Sequence, residues 1–301
     1  MAIKSPKEQV EAILDFAGKL QSKTINHPEK QHLISDDNIR KQIDQYLNLF
    51  PLPAGSLTPV TRPRFDHEGT KLWNNCVRLM AMGETGDGPM VRCKVKALAF
   101  VMIEAAAPIR DPGCNRALET AFRLAMTCIE QSCLDLSQKI IETVAVRLDK
   151  LEKAQSDIEK SKLQQFNTEY YMLRVYLSWF QGRPDIADHL FSKIPKSGHE
   201  GQGFVMDICY KVGSLALSRK QYDVAAKWLG RALESCEWIV RANLHLDTAE
   251  SKVSLARTLE SLKVQYGCLF PVRLIQLEVL SRELNWGAYI QGRWNYSLSW
   301  L

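Results

Sequence analysis

The residues whose types could do chemistry are few and poorly spaced for it. Gly83-Glu84-Thr85-Gly86-Asp87-Gly88 has the glycine density of a phosphate-cradling loop. No Gly-Lys-Ser or Gly-Lys-Thr follows it and no strand pattern precedes it, so it reads as a flexible connector between helices. Histidines 27, 32, 67, 189, 199 and 245 fall at no metal-ligand spacing, and there is no Cys-x-x-Cys pair. Cys128 and Cys133 flank an expected turn and read as packing residues. No serine sits in a Gly-x-Ser-x-Gly setting, and Asp36-Asp37 lies at an expected helix start, where carboxylates favour the helix dipole. Catalysis needs a nucleophile, a matched acid and base, a metal site or a cofactor cradle, and these residues supply none. The sequence therefore reads as a non-enzyme with no cofactor, metal or catalytic residue.

The elements that would have to position any such group come from a chain of 301 residues, 46% apolar, long enough for a sizeable core. The formal charge of +5, from 39 basic and 34 acidic residues, is small and dispersed, so direct nucleic-acid binding is not expected. Arg92, Lys94 and Lys96 form the densest basic patch, but a spacing of two splits them between helix faces and reads as solvated surface. The amino terminus lacks the apolar stretch of a signal peptide, and the longest apolar run, Ala97 to Ile109, is broken by Glu104. The expectation is a soluble intracellular protein without membrane contact. Its cysteines, Cys76, Cys93, Cys128, Cys209 and Cys236 among them, then act as small core residues rather than disulfides.

Apolar residues recur at helical spacing throughout, and no alternating strand pattern of useful length occurs, which predicts an all-α class. Residues 1–50 carry two amphipathic helices, from Ser5 to Leu20 and from Asp36 to Leu49. Pro51, Pro53, Pro59 and Pro63 make residues 51–65 a proline-rich extended linker. Asp66 then caps the first helix of a regular array over 66–285. Two hairpins follow, the second turning near Ser132, and Lys150 to Lys162 is either the exposed end of a long helix or a linker. Residues 286–301, with Trp286, Tyr289, Trp294, Tyr296 and Trp300, form an aromatic-rich irregular tail expected to stand outside the array.

Small residues recur at fixed places within it. Gly213 is followed twelve positions on by Ala225, then by Leu229 and Ala232, while Ala187 and Phe191, after Gly182 in the turn, hold the places of Ala225 and Leu229 one unit earlier. Ala125, Ser137 and Ile141 repeat the pattern before that. These intervals resemble the tetratricopeptide repeat, in which two antiparallel helices cross closely where small residues leave room. A TPR-like α-solenoid of helical hairpins is the result. Its first helices would line a concave face, placing Tyr176 and Trp179 beside Lys211, Ser214 and Ser218 as a candidate groove for a partner segment. The aromatics have a second reading as packing between repeats.

Three stretches carry a narrower resemblance: Leu72-Trp73-Asn74-Asn75-Cys76-Val77-Arg78-Leu79, Lys96 to Ala106 (Lys-Ala-Leu-Ala-Phe-Val-Met-Ile-Glu-Ala-Ala), and Leu274-Ile275-Gln276-Leu277-Glu278-Val279-Leu280. In order and spacing they are similar to the meiosis-specific sporulation family called Spo-twenty-two or Zip-four, over roughly Val10 to Glu283. That resemblance implies a nuclear, non-catalytic repeat scaffold on meiotic chromosomes. It implies roles in crossover formation and synaptonemal complex assembly, with other synapsis-initiation and crossover proteins as partners. Members of that family are longer, so the chain looks like an amino-terminal portion or a truncated gene product. A general TPR-like adaptor of a non-meiotic complex is the alternative within the same architecture.

Overall fold

The computed structural model describes residues 5–26, 37–53, 55–80, 88–108, 113–153, 160–194 and 201–244. Among them every regular element is an α-helix. In chain order these are α1 (Pro6–Asn26), α2 (Asp37–Leu47), α3 (Thr61–Met80), α4 (Gly88–Ala106) and α5 (Gly113–Glu130). They continue with α6 (Leu134–Lys153), α7 (Lys160–Phe180), α8 (Pro184–Phe191), α9 (Gln202–Ser218) and α10 (Tyr222–Leu244). The chain divides into two compact units, Met1–Cys236 and Glu237–Leu301. None of the described helices is long and apolar enough to cross a membrane.

Antiparallel pairs α3–α4, α5–α6 and α7–α8 pack as hairpins, and successive hairpins lean on one another through α4–α5, α6–α7 and α7–α9. In the fourth hairpin, a Cβ added at Gly213 of α9 would lie 2.7 Å from Leu229 Cγ and 3.1 Å from the Leu229 backbone nitrogen of α10. Those helices therefore approach so closely that any larger residue would have to displace the Leu229 side chain and crowd its backbone nitrogen. The all-helical, solenoid-like class read from the sequence is the one observed.

Three hairpins turn by the same device. In the α5–α6 turn Ser132 has φ +59°, its N–H donates to the Ile129 carbonyl, and the Cys133 N–H donates to the Cys128 carbonyl. Gly182 (φ +71°) and Lys220 (φ +60°) occupy the same place in the α7–α8 and α9–α10 turns. Arg183 N–H bonds there to Ser178 O, and Gln221 N–H to Ala216 O. This is the Schellman arrangement, which satisfies the last carbonyls of one helix through a left-handed residue just past its end. The residue after it starts the next helix, since Cys133, Arg183 and Gln221 accept from Ser137, Ala187 and Ala225. An aspartate in the first turn of each second helix, Asp135, Asp185 and Asp223, favours the exposed amides there.

Two cores result. One joins α1, α2 and α3 to one face of α4, through Val10, Ile13, Ala17, Ile43, Phe65, Leu72, Leu98 and Met102. The other begins on the opposite face of α4, with Cys93, Ala97 and Phe100, and runs on through α9 to Ala225, Trp228 and Ala232. Burial on both faces explains why α4 carries the longest apolar run of the chain. Glu104, which interrupts that run, accepts at 2.7 Å from buried Arg147 of α6, whose guanidinium also donates to the Ala107 carbonyl and to Cys114 Sγ. A buried guanidinium is tolerable because each of these acceptors is fixed around it.

Several expectations need correction. The extended linker does not reach Arg64, because α3 begins at Thr61 and places Pro63 in its first turn, where the missing amide costs least. Asp66 is not the cap. Thr58 and Thr61 bond reciprocally, each backbone N–H to the other's Oγ1 at 2.9 and 3.2 Å, while Asp66 pairs with Arg116. The run beyond Lys150 is helical to Lys153, and α7 begins at Lys160. Lys96 is not solvated surface, since it is buried with its ammonium 5.1 Å from the Trp73 ring centroid. The segment from Leu274 to Leu280 and the aromatic tail at 286–301 lie outside the described residues.

Candidate partner-binding face

The first helices α5, α7 and α9 belong to hairpins that repeat the same turn, and ion pairs tie them to one another and to α3. Asp66 of α3 meets Arg116 of α5, and Glu119 of α5 meets Lys162 of α7 at 3.3 Å. Glu130 at the end of α5 meets Lys211 of α9 at 2.8 Å, and Asp207, one turn before Lys211, takes the same ammonium at 3.0 Å. The Glu130–Lys211 pair bypasses the intervening α7, so α5 and α9 come together at this end of the face. A matching pair joins the second helices. Asp188 of α8 accepts from Lys227 at 2.6 Å and from Arg231 at 2.8 Å, and the Arg231 guanidinium lies 4.0 Å from the Phe191 ring centroid and 4.3 Å from that of Trp228.

Of the five sequence-predicted groove residues, the structure brings only some to the surface. Tyr176 and Trp179 are core residues, 3% and 6% exposed, which is the packing reading of these aromatics. Trp179 sits edge-on to Trp228, 6.5 Å between centroids, and Tyr176 edge-on to Phe180 at 5.0 Å. Burial, helped by the Glu130 carboxylate, pushes the Tyr176 hydroxyl up to about 12. Lys211 is half-buried. Its desolvation opposes the charge, but hydrogen bonds to Glu130 and Asp207 outweigh that and raise its affinity for the proton. Ser218 is exposed, with its hydroxyl on the Leu215 carbonyl at 2.8 Å.

Sequence reasoning missed Glu130 and Asp207, because a spacing of 81 residues between Glu130 and Lys211 has no local signature. It also missed two orphaned atoms. Among the described residues the Trp179 indole N–H and the Ser214 hydroxyl are buried without a hydrogen-bond partner, and they belong to adjacent first helices. Such groups are uncommon in native structures, where an ordered water or another molecule completes them. The face can do recognition chemistry: carboxylates, an ammonium and hydroxyls on a rigid helical support. Among the described residues no group of three or more His, Cys, Asp or Glu is arranged to hold a metal ion.

Ala187, Ala225 and Ala232 are buried at 0%, 2% and 2%, Leu229 packs on Gly213, Phe191 takes one side of Arg231, and Gly182 makes the turn.

Residues 177–266 match the family model described as "Meiosis protein SPO22/ZIP4 like". Within the described residues that match spans the end of α7, α8, α9 and α10, the two hairpins whose small residues keep the repeat intervals. No curated protein and no solved structure matches the chain. Over residues 177–266 the chain is thus similar to the SPO22/ZIP4-like meiosis family, the family that three stretches outside that span, 72–79, 96–106 and 274–280, also resemble.

Proposed function

We propose that the chain acts in the nucleus as a non-enzymatic scaffold on meiotic chromosomes, promoting crossover formation and synaptonemal complex assembly by holding protein partners. The observation that supports this reading is that the SPO22/ZIP4-like match covers the end of α7, α8 and the α9–α10 hairpin, where the repeat intervals are kept. A solenoid of such hairpins presents an extended, rigid surface suited to several partners at once. The partner-binding part of that surface is the first-helix face with Glu130, Asp207, Lys211, Ser214 and Ser218 accessible or near-accessible, and with Tyr176 and Trp179 supporting it from beneath. A partner backbone laid along the face would meet an ammonium flanked by carboxylates and the exposed Ser218 side chain.

Disruption of the gene tests the reading. The expected result is normal vegetative growth with fewer crossovers per meiosis and incomplete synapsis. Unchanged crossover counts, with the protein recovered in an unrelated vegetative assembly, would instead make it a general adaptor.

A further inference from the structure

A hydroxyl residue directly precedes proline at two places in the chain, Ser5-Pro6 and Thr58-Pro59. Ser5 precedes α1 and Thr58 caps α3, settings that tolerate the missing amide of proline. The two caps differ in charge. At α1 the Ser5 N–H donates to the Glu8 carboxylate at 2.7 Å. At α3 the place of that glutamate is taken by Thr61, whose Oγ1 accepts the Thr58 N–H at 2.9 Å while its own N–H donates to Thr58 Oγ1 at 3.2 Å. No acidic residue lies in the first turn of α3, so this cap carries no negative charge of its own.

The surroundings of Thr58 are basic and open. Thr58 is half-buried, but Pro59 and Val60 after it are exposed, Val60 by 77%. Arg62 stands four positions on, its backbone N–H donating to the Thr58 carbonyl at 3.0 Å, so the two side chains lie on the same side of the helix start. Arg62 is exposed, and among the described residues no carboxylate takes its guanidinium. Arg64, two positions further, pairs with Glu11 of α1 at 3.5 Å. The segment before the dipeptide is anchored. Ser56 Oγ donates to the Pro53 carbonyl at 2.6 Å, and Leu52 and Leu57 pack on the core formed by α1 to α4. Thr58 and Pro59 are therefore presented on a held turn outside the helix.

We propose that Thr58 is a phosphorylation site for a proline-directed protein kinase, and that the phosphate tightens the start of α3 by taking the Thr61 amide and the Arg62 guanidinium. The Thr58 oxygen attacks the γ-phosphorus of ATP. The new O–P bond forms as the bond to the bridging oxygen of the β-phosphate breaks, ADP leaves, and the hydroxyl proton passes to the kinase's base. Kinases of this class accept a following residue that has no amide hydrogen, which Pro59 supplies. The product places a phosphate beside a helix start and an unpaired guanidinium, the surroundings in which phosphorylation orders a segment. At Ser5 the same group would face the Glu8 carboxylate and loosen the cap instead. Because α3 buries Phe65 and sends Asp66 to Arg116 of α5, the modification braces the helix that ties the amino-terminal core to α5.

The test uses the full chain in its native state, with Ser5→Ala to remove the other dipeptide, treated with a cyclin-dependent kinase and magnesium ATP and mapped by mass spectrometry. Thr58 is expected to take up phosphate. Pro59→Ala, which keeps both the hydroxyl and the cap, should slow that uptake many-fold. The phosphorylated protein should unfold about 2 °C higher at low salt than the same protein after phosphatase treatment. Arg62→Ala should diminish that rise. Phosphate confined to other residues, equal uptake in Pro59→Ala, an undiminished rise in Arg62→Ala, or a phosphorylated protein that unfolds no higher than its phosphatase-treated form would each overturn the proposal.

Discussion

The hydroxyl of Ser137 donates to the carbonyl of Ala125 at 3.2 Å, across the crossing of α5 and α6 and twelve positions along the chain. Gly213 and Ala225 stand at the same interval about an equivalent turn, and so do Val175 and Ala187. Apart from Val175, the side chains at these places are small, because the helices of each hairpin cross there. Where the residue is serine, its hydroxyl is used up on the facing backbone.

Substitution at the closest approach should be costly. In Gly213→Ala the new methyl would meet Leu229 Cγ at 2.7 Å and its backbone nitrogen at 3.1 Å. Helix propensity alone would favour alanine by about 1 kcal/mol, but overpacking against a backbone atom outweighs that. A net loss of about 1–2 kcal/mol is expected in denaturant unfolding. Ala225→Leu, at a site 2% exposed, should lose about 1–3 kcal/mol. Parent-like stability in both variants would remove the register.

The turns predict a gain instead. Lys220 holds φ +60°, a conformation that costs a side-chain-bearing residue about 1–2 kcal/mol and glycine almost nothing. Lys220→Gly is therefore expected to raise stability by about 1 kcal/mol, less whatever freedom it adds to the unfolded chain. Gly182→Ala, at φ +71°, should lower it. Thermal unfolding of the two proteins reads both signs, and equal shifts in one direction would contradict the shared turn.

These two predictions mark what the sequence shows and what it hides. Helical periodicity and the Gly213, Ala225 and Leu229 intervals are local, so the hairpins were legible from them. The turn device was only half legible, because Gly182 announces a left-handed residue while Ser132 and Lys220 do not. The linker boundary is hidden because Pro63, which reads as a helix breaker, sits in a first turn that tolerates proline. The surface was the least legible part. Whether Trp179 points into a groove or into Trp228 depends on the rotation of α7 against α10, which no spacing within α7 encodes.

Acid should weaken the second-helix layer. Burial alone would raise the proton affinity of Asp188, but hydrogen bonds from Lys227 and Arg231 outweigh it and hold its carboxyl below the usual range. A group depressed in the folded state contributes stability that is present above its unfolded value, about 3.9, and lost as pH falls through the folded one. Asp188→Asn should therefore be less stable than the parent at pH 7, and the difference should shrink below about pH 4. A difference that stays constant across that range would show that the pair contributes nothing.

Lys211 gives the converse sign. Its affinity for the proton is raised in the fold, so its pairing stabilises below about pH 10.4 and fades as pH rises beyond it. The side chain is one-third exposed and its partners more so, so removing it in Lys211→Ala should cost at most about 1 kcal/mol, and less in high salt. The sequence alone places Lys211 in a candidate groove and gives no sign of its pairing with Glu130. A salt-independent loss would point to its aliphatic stem rather than its charge.

The central claim is that a meiotic partner is held on the first-helix face. Proximity labelling in synchronised meiotic cells tests it most directly, comparing the parent with a Ser214→Leu, Ser218→Glu variant of matched thermal stability. The account predicts that the parent labels proteins of meiotic chromosomes and that the variant loses at least one of them several-fold. Identical labelling by both proteins, or a parent set without meiotic chromosome proteins, would contradict it.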